Sequence, residues 1–145
     1  MSAALGRLPW FERTAESPAV PEGVATIVLQ VPAVMTLGSP ASLRVSGAFQ
    51  LTEADAAALP REDPFAALTL LVYEAGSARS VTLCPARSAI GPETESVPPG
   101  LRRGWFHADV LAQTGFVPRV GSCFVSAYLG PLQSQAVEVR IVQGA

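Results

Sequence analysis

Charge is scarce in this chain. Only 15% of its 145 residues are Asp, Glu, Lys or Arg, against about 25% in a typical soluble domain. Lysine and asparagine are absent, so all ten basic residues are arginines. The arginines are scattered and the net charge is −2, which leaves no basic stripe for a nucleic-acid backbone. So little charge predicts either a dense two-layer core or apolar surface that a protein partner or a second copy covers.

Residues that carry chemistry are equally few. His107 is the single histidine, and Cys84 and Cys123 are the two cysteines, too few for a disulfide framework. The sequence has no Cys-x-x-Cys or His-x-x-x-His spacing typical of zinc sites. It also has no glycine-rich phosphate loop and no Gly-x-Ser-x-Gly motif. We therefore expect no metal, no cofactor and no enzymatic activity.

The first twenty residues contain no continuous apolar segment. Arg7, Glu12, Arg13 and Glu16 interrupt them, so the pattern is neither that of a signal peptide nor that of a membrane span. We expect a cytoplasmic protein that does not insert into membranes. Export by a non-classical route, or as part of an assembly, is the alternative.

The sequence does contain a series of segments in which apolar and polar residues alternate, as in β-strands. Gly- and Pro-rich turns separate seven candidate strands, at residues 24–31, 42–51, 65–74, 79–84, 105–111, 121–129 and 136–142. Residues 65–74 depart from the alternation because they are nearly all apolar, which predicts a central strand or one whose outer face is covered. Together the candidate strands predict one all-β domain, a β-sandwich over residues 24–145. Residues 1–23 hold three prolines and two glycines, which predicts an extended N-terminal arm.

Finer features of this series are also predicted. In residues 42–51 one set should point inward, toward the core (Leu43, Val45, Gly47, Phe49 and Leu51), and the other outward (Arg44, Ser46, Ala48 and Gln50). Thr52 and Asp55 form the hydroxyl-x-x-acid pattern of a helix N-terminus, and Pro60 ends the single short helix that we expect there. Residues 34–37 predict a short kinked edge strand before the Gly38-Ser39-Pro40 turn. Residues 86–103, rich in Pro and Gly, predict a long loop.

The last three predicted strands, within residues 105–142, resemble the end of bacterial immunoglobulin-like β-sandwich domains. The corner motif of that family, Asp-x-Gly-x-Tyr, falls on residues 119–123, where Gly121 matches and Arg119 and Cys123 do not. Ser126 and Ser134 also resemble residues of the bacterial members. The resemblance implies an immunoglobulin-like or Greek-key sandwich and no particular chemistry. Cys84 precedes a proline at a strand end, so a bridge to Cys123 is not expected and both thiols should be free.

Aromatic residues are the candidates for partner binding. Leu8, Trp10 and Phe11 surround a proline in the arm, and such residues either anchor the arm in a neighbouring subunit or pack back over the sandwich. Trp105 and Tyr128, on predicted strands, complete the set. The interpretation is a non-enzymatic structural or interaction module, a subunit that packs into a larger assembly through its arm and apolar faces. A protein partner or a homo-oligomer is implied.

Two alternative functions depend on the same region. A carbohydrate- or peptide-binding sandwich would use Trp105, His107, Tyr128 and the long loop as a stacking platform. A small metal or thiol enzyme would use His107 and Asp109, which share one face of a strand because they are two residues apart. It would also need Cys123 or Glu138 within hydrogen-bond reach of the imidazole.

Overall fold

The fold is known from a computed structural model, which describes residues 26–38, 41–60, 64–86, 89–93 and 99–144. Within these residues the chain forms ten strands in two sheets, with two short α-helices and a 3-10 turn. The predicted all-β sandwich is confirmed. The predicted arm, residues 1–23, lies outside the described residues.

The strands and helices follow one another along the chain in this order. They are β1 Thr26–Gln30, β2 Val34–Thr36, β3 Arg44–Thr52, α1 Glu53–Ala57, the 3-10 turn Pro64–Ala67, β4 Leu68–Glu74, β5 Ser80–Leu83, β6 Ile90–Glu93, β7 Leu101–Asp109, α2 Val110–Thr114, β8 Gly121–Leu129, β9 Leu132–Gln133 and β10 Val137–Val142. One sheet has four strands in the order β1-β3-β7-β6, and the other has the order β2-β10-β8-β4-β5, with β9 added to β8. Among these strands β2 and β10 pair in parallel, and the other pairs are antiparallel.

The core lies between the two sheets. Phe49 and Phe106 of the four-stranded sheet are buried against apolar side chains of the six-stranded sheet, among them Leu70, Val125 and Ile141. These residues occupy alternate positions of their strands, as period-two sequences place them. Each sheet therefore has an inner face in the core and an outer face on the outside of the sandwich.

The predicted helix start is confirmed. The Thr52 hydroxyl accepts a hydrogen bond from the Asp55 amide at 3.1 Å, which stabilises the first turn of α1. A second helix, α2, was not predicted, and the strand expected to reach residue 111 ends at Asp109. The Asp109 carboxylate accepts a hydrogen bond from the Ala112 amide at 3.3 Å, so this residue turns the chain from strand to helix.

The long loop predicted over residues 86–103 was wrong in part, because it contains β6 and the first residues of β7. Two glycines in these strands each pair with an aromatic residue of the neighbouring strand, Gly104 with Phe49 and Gly91 with Trp105. A methyl group at Gly104 would overlap the Phe49 ring, and one at Gly91 would overlap the Trp105 indole. Pro92 lies in β6, at the edge of the sheet, where a missing amide is tolerated.

Candidate functional site

The structure separates the predicted partner-binding residues. Trp105 pairs with Ala48 on the outer face of the four-stranded sheet, and its ring centre lies 5.4 Å from that of His107. Tyr128 lies on the outer face of the six-stranded sheet, opposite Thr69. Because the core separates these faces, the two aromatic rings cannot form one stacking platform, as the ligand-binding alternative requires. Leu8, Trp10 and Phe11 lie outside the described residues.

The residues of the predicted enzyme alternative are also kept apart. His107 is on the outer face of β7, whereas Cys123 is on the inner face of β8 and belongs to the core. The Asp109 carboxylate caps α2 and also receives the Leu43 amide at 3.4 Å. Glu138, on the outer face of β10, accepts the Ser122 hydroxyl at 2.5 Å. Among the described residues, no group of three His, Cys, Asp or Glu side chains could hold a metal ion.

Three polar side chains on the outer face of the four-stranded sheet are buried. Ser46, Gln50 and His107 are only 6%, 0% and 0% exposed. The Arg103 Nε donates a hydrogen bond to the Gln50 Oε1 at 2.5 Å. The sequence pattern placed Ser46, Ala48 and Gln50 on the correct face, since all three pair with outer-face residues of β7. The burial of Ser46 and Gln50 could not be read from the same pattern, because period two identifies a face without identifying what covers it.

The outer face of the six-stranded sheet carries a different surface. Leu71 and Tyr73 of β4 lie beside Phe124 and Tyr128 of β8, and all four are partly exposed. We call these four residues the outer patch. The Tyr73 and Phe124 rings stack, with centres 5.5 Å apart and planes 21° apart. Sequence reasoning named only Tyr128, although the alternation of Leu71 and Tyr73 with the core residues of β4 marked the same face.

The residues between and around the outer patch determine its electrostatics. Thr69 and Ser126 lie on the same outer face, where Thr69 pairs with Tyr128 and Ser126 with Leu71. Neither Thr69 nor Ser126 is charged. Charged side chains are found on the neighbouring strand β10, where Glu138 and Arg140 are exposed. An aromatic centre that is free of charge, with charged side chains at one border, agrees with the depletion of charge at the centre of protein interfaces.

A buried carboxylate, that of Glu74, links two segments at one end of the sandwich. Glu74 is 5% exposed, and its Oε2 accepts hydrogen bonds from Arg79 Nη1 and from the Arg119 amide, both at 2.7 Å. Its Oε1 accepts the Ser77 hydroxyl at 3.0 Å. Burial raises the pKa of Glu74, but the hydrogen bonds from Arg119 and Ser77 and the charge of Arg79 outweigh it, so the pKa lies below the ordinary 4.5. Glu74 therefore joins the β4–β5 turn to the corner before β8.

The two cysteines are free, and their surroundings differ. Cys84 is exposed, and its thiol donates to the Leu68 carbonyl at 2.8 Å. Cys123 is buried in the core. Burial and the nearby negative charge of Glu74 raise the pKa of Cys123 to about 11, so this thiol remains protonated at neutral pH. A protonated thiol is a poor nucleophile.

Two shallow grooves of about 360 Å³ each open between the sheets. The first lies beside β2 and the start of β3, and among the described residues of its lining Arg44 is the only charged one. The second lies between β1 and residues 133–137, and the described residues of its lining carry no charge. Acid–base catalysis requires positioned titratable groups, and the described parts of these linings supply no such pair.

The fold and these surfaces define a two-layer β-sandwich with an aromatic outer patch. A scan of known protein-family models finds no match to this chain, and a search of curated proteins finds no similar sequence. Among the helices of the described residues, none combines the length and the apolar character that crossing a membrane requires.

Proposed function

We propose that this chain is a non-enzymatic interaction module, a β-sandwich subunit that packs against another protein through its outer patch. The observation that carries the proposal is the placement of Leu71, Tyr73, Phe124 and Tyr128 side by side on one outer face. Tyrosine and phenylalanine are enriched in interfaces because they bury a large area at a low cost in side-chain entropy. Only 15% of the residues are charged, and a surface with so little charge is consistent with a face that a partner covers.

We also propose that the sandwich is immunoglobulin-like, and the strand order supports this. In immunoglobulin domains, strands A, B, E and D form one sheet and strands G, F and C form the other. If β1, β3, β4, β6, β7, β8 and β10 are read as A to G, the two sheets of this chain have that order, and β5 takes the place of the additional strand beside C. Domains of this architecture are frequently used for recognition, but the architecture alone assigns no partner.

The test is capture of a partner by the full-length chain from the cells that produce it, together with its molar mass in solution. The Phe124→Glu variant places a charge at the centre of the outer patch and should abolish capture or self-association. Val34→Glu is the matched control, since Val34 is 51% exposed on the edge strand β2, which β10 separates from the patch strands β8 and β4. Capture by the wild type and by Val34→Glu, with loss in Phe124→Glu, supports the proposal.

Two results would refute it. One is a wild-type chain that is monomeric at high concentration and captures no protein. The other is a bound partner that Phe124→Glu retains with unchanged affinity while its far-UV circular dichroism matches that of the wild type.

A further inference from the structure

Strand β1 forms an edge of the four-stranded sheet. It pairs with β3 on one side, and none of the described strands pairs with its other side. The carbonyl of Val28 points toward β3, because a methyl group at Gly47 of β3 would lie only 2.8 Å from that oxygen. Backbone groups point to opposite sides of a strand at successive residues. The amides and carbonyls of Ile27 and Leu29 therefore point to the open side of β1.

The second groove, of about 360 Å³, lies on this open side. Residues 133–137, which join β9 to β10, form its opposite wall. Ser134 holds this wall in place, since its amide donates to the Ala127 carbonyl at 2.8 Å and its hydroxyl accepts the Ala127 amide at 2.8 Å. Both walls are thus fixed before anything binds, which lowers the entropy cost of binding.

Strand β1 also lacks the features that protect edge strands from pairing. Natural proteins protect such edges with prolines, charged residues or very short strands. Among the other described edge strands, Pro92 lies within β6, and β2 has only three residues. The edge strand β5 has four residues and lies between Arg79 and Pro85. Strand β1 has five residues, none of them charged and none proline, so its open edge is the one best suited to accept another strand.

We propose that β1 accepts an extended segment of a partner polypeptide as an additional strand, in the groove between β1 and residues 133–137. The chemistry of the groove identifies this occupant. Amides and carbonyls that alternate along a strand edge match the backbone of an extended chain, which supplies the same groups at the same spacing. The described residues of the lining carry no charge. The side chains that enter should be uncharged too, because a buried charge without a counter-charge is costly.

A second copy of this chain fits the groove less well. Its described strands are already paired within their two sheets, so it would have to offer its own β1 edge. The 133–137 segments of both copies would then flank that strand pair. The groove is also independent of the outer patch, which lies on the six-stranded sheet. The Phe124→Glu variant should therefore leave binding in the groove unchanged, even if the outer patch has no partner.

A library of random seven-residue peptides, displayed on phage and selected on the full-length chain, provides the probe. We expect the selected peptides to be uncharged and rich in Val, Ile and Thr. Leu29→Pro removes an amide that faces the groove, at an edge position where proline is tolerated. Leu29→Ala is the matched control, because it removes the same side chain and keeps the amide. A synthetic selected peptide should bind Leu29→Pro about tenfold more weakly than Leu29→Ala.

Hydrogen exchange in the wild type tests the site without any substitution. In the free chain the amides of Ile27 and Leu29 should exchange at least about tenfold faster than the amide of Val28, which faces β3. A saturating concentration of the selected peptide should slow both amides to the rate of Val28.

Three results would overturn the proposal. The first is a selection that yields no peptide with binding above background. The second is equal affinity of Leu29→Pro and Leu29→Ala for the peptide, when both have the circular dichroism of the wild type. The third is protection of Ile27 and Leu29 in the free chain. If that protection persists on dilution, the edge is occupied within the chain, and if it disappears, a second copy is the occupant. Should Leu29→Pro fail to fold, the exchange measurement decides the outcome.

Discussion

The charge on Glu74 should contribute measurably to stability, and Glu74→Gln isolates that contribution. The substitution keeps the shape of the side chain, and the amide can still accept the Arg79 and Arg119 donors through one oxygen while its NH2 group donates to Ser77. What is lost is the charge. Hydrogen bonds to a charged group contribute about 1.5–3 kcal/mol, against about 1 kcal/mol for neutral ones.

The magnitude follows from the geometry of the two bonds at Oε2. Arg79 is 35% exposed, so its contribution is discounted for solvent screening, whereas the bond from the Arg119 amide is part-buried. We expect Glu74→Gln to lower the free energy of unfolding by about 2 kcal/mol at pH 7. For a chain of this size the melting temperature should fall by roughly 4–8 °C. Urea unfolding followed by circular dichroism measures the change.

The dependence on pH tests the cause. The pKa of Glu74 is lower in the folded chain than its ordinary 4.5, so the stabilisation is fully present above that value. It is lost as the pH falls through the folded pKa, and wild type and variant should then converge. The exposed Glu53, which pairs with Arg102 at 3.1 Å, provides the control Glu53→Gln, which should match the wild type throughout. A Glu74→Gln chain as stable as wild type at pH 7, or a difference that persists below the folded pKa, would contradict this account.

Two further predictions concern packing and thiol reactivity. Gly104→Ala places a methyl group where the Phe49 ring lies, and we expect it to lower the free energy of unfolding by about 1–3 kcal/mol. Thr82→Ala at the edge of the other sheet is the control, and equal stability of the two variants would show that the core relaxes around the methyl. In the native chain, a thiol reagent such as dithiobis(nitrobenzoic acid) should titrate the exposed Cys84 at neutral pH. Cys123 is buried and has a pKa of about 11, so it should react only after unfolding, and rapid release of two equivalents from the native chain would refute this.

Parts of the candidate site could be predicted from the sequence alone. The alternation along β7 placed Trp105 and His107 on one face, and the separation of His107 from the core residues Phe106 and Ala108 is correct. Pairing between strands was not predictable in the same way, because it depends on contacts between residues far apart in the chain. The outer patch requires β4 to lie beside β8, and Tyr73 to lie beside Phe124, across about fifty residues of sequence.

The sequence by itself determined the local structure of this protein. Alternating residues produced the strands, Gly and Pro ended them, and Thr52 began α1, because each of these effects acts over a few neighbouring residues. Only the tertiary structure decided which outer face is buried, why Trp105 and Tyr128 lie on opposite sides, and how Glu74 reaches the amide of Arg119. A side chain's position on a face follows from the period of its strand, but its surroundings follow from the layers that pack against that face.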